Sequence, residues 1–250
     1  MIDTDLTALA RWRVTYPSAD RDLAGYLFVP SGDGPFPTMI VNHGSAGFAP
    51  IVRDVAAEAN RCGYAAFLPV RRGYHENPGP HWQSHLTAAE GSDAWGNQVV
   101  DALRQENDDV LAALDWLTRQ PRIDTGRIGV MGVSFGGIMT LLAIGRINRF
   151  KVAVNFAAAA MTWERAPALQ EALLDAVRAT AVPLFLIQAQ NDFSLAPTYV
   201  LGAELARLGK AHETRIYAPN GTTPMEGHGL FTTGIPTWSA DVERFLSRWL

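Results

Sequence analysis

The chain is almost without cysteine. Cys62 stands alone among 250 residues, so no internal disulfide can form and no cysteine-based zinc site can be assembled. It lies in the helix-patterned stretch RDVAAEANRCGY, where a buried structural thiol is the expected role. An excess of one charge is also lacking. Lys+Arg 21 against Asp+Glu 25 gives a net charge of −4, with no basic block. That argues against nucleic acid or an anionic membrane surface as partner. No apolar run approaches the roughly 18 residues a membrane helix needs. The opening MIDTDLTALARWRV lacks a basic-then-apolar leader, so the expectation is a cytoplasmic protein without a membrane anchor. Repeats, low-complexity tracts and linkers are absent from the pattern as well, which leaves one domain over 1–250.

What is present is apolar content of 48%, enough for a core without staples at a length that buries roughly three quarters of the unfolded chain's surface. Strand patterns fall at 11–16 and 23–29, an expected hairpin, then at 38–42, 64–70, 128–133, 151–156, 182–189 and 214–217. Helical spacing falls between them: 50–62 with Ile51, Val55 and Ala59 on one face, 98–120, 162–180, 199–208, and 239–249 with Ser239 as N-cap. Strands alternating with helices predict an α/β fold, a mostly parallel twisted sheet covered on both faces. Residues 71–97 carry Gly, Pro, three His and two Trp without periodicity. They read as a long functional loop, and with 157–181 they are candidate cap or lid elements.

The centre of the pattern is Ile128–Gly137, IGVMGVSFGG. A short apolar strand runs into Gly132-Val133-Ser134-Phe135-Gly136, which matches G-x-S-x-G, and an apolar helix follows. In that context the turn is sharp enough to strain the serine and lift its hydroxyl over the sheet edge. The new helix aims its free N–H groups and positive dipole end at the same point.

A serine hydroxyl needs a base, and the base needs a carboxylate. In a parallel sheet the loops after the strands meet at one edge, so the partners should follow strands. Among six histidines, His228 follows the last strand in a loop with Gly on both sides and is the best base. His43 suits a loop-shaping role, His75, His81 and His85 lie in the long loop, and His212 sits at the wrong end of the sheet. Among acids, Asp192 directly follows the strand 182–189, whereas Glu226 is too close to His228 in sequence to orient it easily. An oxyanion needs two preorganised donors. The amide of Phe135 is one. The segment His43-Gly44-Ser45-Ala46-Gly47 supplies the other, from Ser45 or Ala46.

With these residues named, the chain resembles the α/β-hydrolases, closest to the dienelactone hydrolase-like and prolyl-oligopeptidase-like esterases. The matching pieces are HGSAG at 43–47, RRGY at 71–74, DVLAALDWL at 109–117, GVSFGG at 132–137, NDF at 191–193 and GHGLF at 227–231. The resemblance implies Ser134 as nucleophile, Asp192 as acid and His228 as base. Dienelactone hydrolases usually carry Cys at the elbow. Ser134 in that place favours general ester hydrolysis over a lactone substrate. No lid-sized apolar insertion appears, which argues against a lipase.

For the substrate, Arg71 and Arg72 follow a strand on the active edge. They either clamp a carboxylate or form structural ion pairs behind the loop. Tyr74, His81, Trp82 and Trp95 could wall a pocket, and Met161 and Trp163 could reach it from 157–181. The spacing of His75, His81 and His85 fits no common metal site, so neither metal nor cofactor is expected. The reading is a serine esterase acting on a small-molecule ester. Its rivals are a peptidase or amidase with the same three residues and a catalytically silent binding protein. Prolyl-oligopeptidase relatives with that role usually carry a large N-terminal domain, which this pattern does not show, and the expectation leans to the esterase. A homodimer built on the last strand and helix is compatible with the pattern.

Overall fold

The computed structural model describes residues 12–48 and 52–250. Eight strands make one sheet: β1 (Arg13–Ser18), β2 (Arg21–Phe28), β3 (Phe36–Asn42), β4 (Ala65–Pro69), β5 (Ile123–Val133), β6 (Ala153–Phe156), β7 (Leu184–Ala189) and β8 (His212–Tyr217). Their order across the sheet is β1-β2-β4-β3-β5-β6-β7-β8. β1 and β2 form the expected antiparallel hairpin, β2 runs antiparallel to β4, and every later pairing is parallel. All residues of β4, β6 and β7 are buried, as strands covered on both faces must be. β8 closes one edge. Its Glu213 and Arg215 pair with Arg244 and Asp241 of the C-terminal helix, which blunts the open strand.

The helices are α1 (Val52–Arg61), α2 (Asp93–Leu117), α3 (Phe135–Arg146), α4 (Pro167–Ala179), α5 (Ala196–Arg207), α6 (Pro224–His228), α7 (Leu230–Thr233) and α8 (Ile235–Trp249). In the parallel part of the sheet the strand ends are level: Asn42 pairs with Gly132, Val133 with Phe156, Phe156 with Ile187, and Ala189 with Tyr217. The loops after β3, β5, β7 and β8 therefore leave the sheet side by side. This is the α/β-hydrolase fold.

Several elements depart from their sequence pattern. α2 begins at Asp93 rather than 98, because Ser92 caps it through a 3.1 Å bond from the Trp95 amide. Gly96 obscures this start. It sits inside the helix because a Cβ there would lie 3.3 Å from the Cβ of Ala168. The long loop is thereby shortened, and Trp82–His85 form a 3-10 turn within it. The pattern at 162–180 resolves into a 3-10 turn at Trp163–Arg165 and α4, whose first residue is Pro167. α8 starts at Ile235, so Ser239 lies inside the helix and is not its cap. The loop expected around His228 holds α6 and α7. The part of the first helical pattern that includes Ile51 lies outside the described residues.

The C-terminal segment is anchored from below by aromatics. Phe156 on β6 meets Phe231 at 4.9 Å and Trp238 at 5.1 Å, edge to face. The Trp238 indole donates to the carbonyls of Leu230 and Phe231. Each such ring pair contributes about 0.5–1.5 kcal/mol beyond its buried area, and together they fix the chain directly after His228.

Candidate active site

β5 delivers Ser134 in a backbone conformation that L residues avoid, φ 57° and ψ −118°. Such strain costs about 1–3 kcal/mol and persists only where the surroundings enforce it. The enforcement is visible. The Ser134 amide donates to Phe156 O at 2.9 Å, and its carbonyl already accepts the helical bond from Ile138 at 3.0 Å. A Cβ on Gly136 would lie 2.0 Å from Asn42 O, and one on Gly132 2.3 Å from Gly136 O. No side chain fits at either position, which is the physical content of the two glycines in the motif.

Asp192 follows β7 in a tight turn and its carboxylate is fully buried. One oxygen accepts the Phe193 amide at 2.7 Å and His228 Nδ1 at 2.9 Å. The other accepts Gln188 Nε2 at 2.9 Å. Gln188 is itself held by Thr198 Oγ1 at 2.8 Å and by the carbonyl of Ser194 at 2.8 Å. With the carboxylate accepting, His228 carries its proton on Nδ1. His228 Nε2 is buried and has no hydrogen-bond partner among the described residues.

His228 ends α6, which the sequence pattern did not reveal. A capping box starts that helix: Thr223 Oγ1 accepts the Glu226 amide, and Glu226 accepts the Thr223 amide. Glu226 thus caps the helix rather than orienting His228. Its hydrogen bonds from the amides of Thr222 and Thr223 hold the carboxyl below the usual range. Asn191 then fastens the loop to the end of β7. It donates to Asn220 O and Thr223 O and accepts the Asn220 amide at 2.9 Å. Gly227 packs so closely on Asn191 that a Cβ would lie 2.6 Å from its Oδ1.

The segment after β3 turns at Gly44–Gly47, closed by a 3.2 Å bond from the Gly47 amide to Gly44 O. A Cβ on Gly44 would lie 3.7 Å from that of Ser134, so the turn runs beside the serine. His43 is buried behind it. Its Nδ1 donates to Gly44 O at 2.8 Å and its Nε2 accepts the Arg71 amide at 3.3 Å. Burial, followed by the nearby Arg71 charge, pushes His43 well below the ordinary histidine range and keeps it neutral. Both ring nitrogens are engaged, so it cannot serve as the base. The completely buried Arg71 donates to His43 O at 2.7 Å, to Gly44 O at 3.3 Å and to Glu106 at 2.7 Å.

Two cavities meet at Ser134, sharing Ser45, Ala46 and Met161. One, about 340 Å³, is bounded by Val52, Val133, Met225, His228 and Phe231. The other, about 300 Å³, is bounded by Trp82, Gln83, Phe135, Ile138, Thr162 and Arg165. The Trp82 ring lies 4.4 Å from that of Phe135, tilted by 41°. Met161 and Met225 are exposed at the rim, and Phe193 stands edge-on to His228 at 5.7 Å.

Three candidate substrate contacts are corrected. Arg72 spends its guanidinium on Asp109, at 2.6 and 2.9 Å, and borders neither cavity. Both arginines are thus structural ion pairs, Arg71 with Glu106 and Arg72 with Asp109. Tyr74 is buried, ring edge against His43 at 4.8 Å with Arg71 over its face, and packs the loop rather than walling a pocket. Trp163 turns inward at the start of its 3-10 turn, and Ala159, Met161, Thr162 and Arg165 are the residues of that segment at the cavities. Trp95 is buried on α2. Among the described residues no group of three His, Cys, Asp or Glu is placed to hold a metal, and no helix is long and apolar enough to cross a membrane.

Residues 23–223 match the family model for the dienelactone hydrolase family. The chain belongs to that family. It is a hydrolase. A Synechocystis protein with the provisional name carboxymethylenebutenolidase is 24% identical over 233 residues, covering 91% of this chain and 89% of its own. The uncharacterized Bacillus subtilis peptidase YuxL is 44% identical over 71 residues, 26% of this chain but 11% of that one. Among solved structures, a Pyrococcus furiosus esterase has TM-score 0.70 at 18% identity, covering 95% of this chain and 90% of that one. A Pyrococcus horikoshii acylaminoacyl peptidase has TM-score 0.69 at 18% identity, and this chain, 95% covered, spans 41% of its length.

Proposed function

We propose that the protein is a serine esterase that cleaves small to medium carboxylic esters through Ser134, His228 and Asp192. The observation that carries this is the free His228 Nε2, buried in the wall of the cavity that also holds Ser134, while Nδ1 is fixed on Asp192. Nε2 takes the Ser134 proton as Oγ attacks the carbonyl carbon. The negative charge that moves to the carbonyl oxygen is met by the Phe135 amide and by an amide of the turn 44–47. His228 then protonates the leaving alkoxide, and the acyl group remains on Ser134. Water, deprotonated by the same nitrogen, releases the acid and restores the serine. Asp192 stabilises the imidazolium in both halves.

The base must stand beside the leaving group, which assigns the two cavities. The apolar one with His228, Met225 and Phe231 takes the alcohol. The one walled by Trp82 and Ile138, with Gln83, Thr162 and Arg165 beyond, takes the acyl group. A peptidase is the second reading, favoured by the names of the Bacillus and Pyrococcus proteins above.

The deciding experiment is fluorophosphonate labelling of wild type and Ser134→Ala, with p-nitrophenyl esters from acetate to decanoate and matched p-nitroanilides. Labelling lost in Ser134→Ala, with esters turned over faster than anilides, supports the esterase. Faster anilides favour the peptidase. An unlabelled, inactive wild type points to a binding protein on a hydrolase fold.

A further inference from the structure

Arg71 is the most deeply buried charge beside the site, and ester chemistry as outlined does not use it. Its side chain is fully buried, as is the Glu106 carboxylate at 2.7 Å. Removing two charges from water is costly, and replacing such a pair with apolar residues is often neutral or stabilising. Stability alone is therefore a weak reason for its presence. What the arginine does besides pairing is hold backbone: the carbonyls of His43 at 2.7 Å and Gly44 at 3.3 Å.

The peptide plane gives this a consequence. In a trans peptide the carbonyl oxygen and the following N–H point in opposite directions. The Gly44 carbonyl shares its plane with the Ser45 amide. Three donors converge on that oxygen: the Arg71 guanidinium, His43 Nδ1 at 2.8 Å and the Gly47 amide at 3.2 Å. All lie on the inner side of the turn. The Ser45 N–H is thereby turned outward, where Ser45 borders both cavities at Ser134, and it has no partner among the described residues. The Ala46 amide belongs to the next plane, whose carbonyl, that of Ser45, has no such tether among the described residues. Gly44 borders only the His228 side.

We infer that Arg71 is a positioning residue that locks the Gly44–Ser45 peptide and so makes the Ser45 amide the second oxyanion donor, ahead of Ala46. This rests on the serine esterase reading. Preorganisation is the point. A donor already aimed needs no reorganisation when the charge forms, and a turn of small residues cannot aim itself. His43 serves the same end as a neutral strut.

The test compares an oxyester with the matched thionoester, whose carbonyl oxygen is replaced by sulfur. Sulfur is larger and a poorer acceptor, so a donor aimed at an oxyanion discriminates against it. Two variants are made. Arg71→Met with Glu106→Leu removes both charges together, so neither is left unpaired. Ser45→Pro deletes the N–H directly, at a turn corner where proline is at home. Both are expected to lower kcat for p-nitrophenyl acetate by about 100- to 1,000-fold, the usual effect of losing one oxyanion donor, with KM changed less than threefold. Both should also lose at least tenfold of the oxyester preference. If Ser45→Pro keeps wild-type kcat and preference, the assignment of the donor is overturned. A folded double variant that melts lower but keeps its preference makes Arg71 a structural residue and overturns its positioning role. Should the double variant not fold, Ser45→Pro decides. A wild type that neither labels with fluorophosphonate nor cleaves esters overturns the esterase reading itself, an outcome separate from both.

Discussion

Two loops flank Ser134, and they are fastened by different physics. The His228 loop is held without an ion pair: by Asn191 across its base, by the capping box in which the exposed Glu226 carboxylate accepts the Thr223 amide, and by the close seat of Gly227. The 43–47 turn is held by a buried ion pair through Arg71 and Glu106. The difference follows from what each loop presents. The first presents a group that must take up and return a proton, and a second buried charge behind it would disturb that exchange. Asp192 is the one buried charge there, whereas the Glu226 carboxylate is exposed and screened by water. The second presents only a backbone amide, which has no proton equilibrium to disturb. A buried guanidinium can grip carbonyls there without cost to the chemistry, and its several donors in one plane suit that use.

The comparison breaks most sharply at Asp192. Asp192→Asn keeps size and shape but offers an N–H where His228 Nδ1–H needs an acceptor. The imidazole should flip tautomer and place its proton on Nε2, facing Ser134. The expected fall in kcat is about 10⁴-fold, the size seen for the equivalent change in the serine protease template, with little change in melting temperature. A loss of tenfold or less in steady-state ester hydrolysis would mean that His228 does not depend on the buried charge of Asp192.

Gly227→Ala attacks the close packing that fastens the His228 loop. The added Cβ would lie 2.6 Å from Asn191 Oδ1 and 2.7 Å from the Asn191 backbone carbon, so the loop must shift. Overpacking of this kind costs about 1–3 kcal/mol. Because the displaced element carries the base, kcat should fall by more than the melting shift suggests. Asn191→Ala removes the staple without a clash, leaving the Asn220 amide and two loop carbonyls to water. A smaller effect is expected, about 1–2 kcal/mol in urea unfolding and a kcat reduced less than in Gly227→Ala. If the order of the two is reversed, hydrogen bonding and not close packing fixes the loop.

These two residues also mark where the sequence stops being legible. Ser134, Asp192 and His228 stand out because each follows a strand and is of a residue type that can act as nucleophile, acid or base, and sheet topology brings strand ends together. The strands themselves are legible because parallel sheet buries whole runs such as LFLIQA. Asn191 and Gly227 are short and polar in loops, and their meaning lies in a contact 36 residues apart in chain that no local pattern encodes. Arg71 and Arg72 show the same boundary. Their place after β4 is readable, but Glu106 and Asp109 lie inside a helix whose heptad-like spacing says only which face is apolar. Their partnership exists because α2 crosses the end of β4. Met161, rather than Trp163, reaches the cavities because the segment folds into a 3-10 turn before α4, a break that helical periodicity smooths over.

On the charged side, pH gives the gentlest probe. His43 is held neutral when folded, with its pKa well below the ordinary histidine range, because it is buried and faces Arg71. The unfolded chain binds a proton there in a range where the folded chain does not, so folding stability rises with pH across that interval. Stability is therefore lost as pH falls below about 6.5, with a slope from this one group of up to about 1.4 kcal/mol per pH unit. Urea unfolding between pH 7.5 and 5 on wild type and His43→Asn measures it. The variant should be less stable at pH 7.5, having lost the strut to Gly44 O, and its stability should fall less steeply toward pH 5. Parallel curves would mean that the turn tolerates a protonated His43, and that the grip of Arg71 on the Gly44 carbonyl does not require a neutral neighbour.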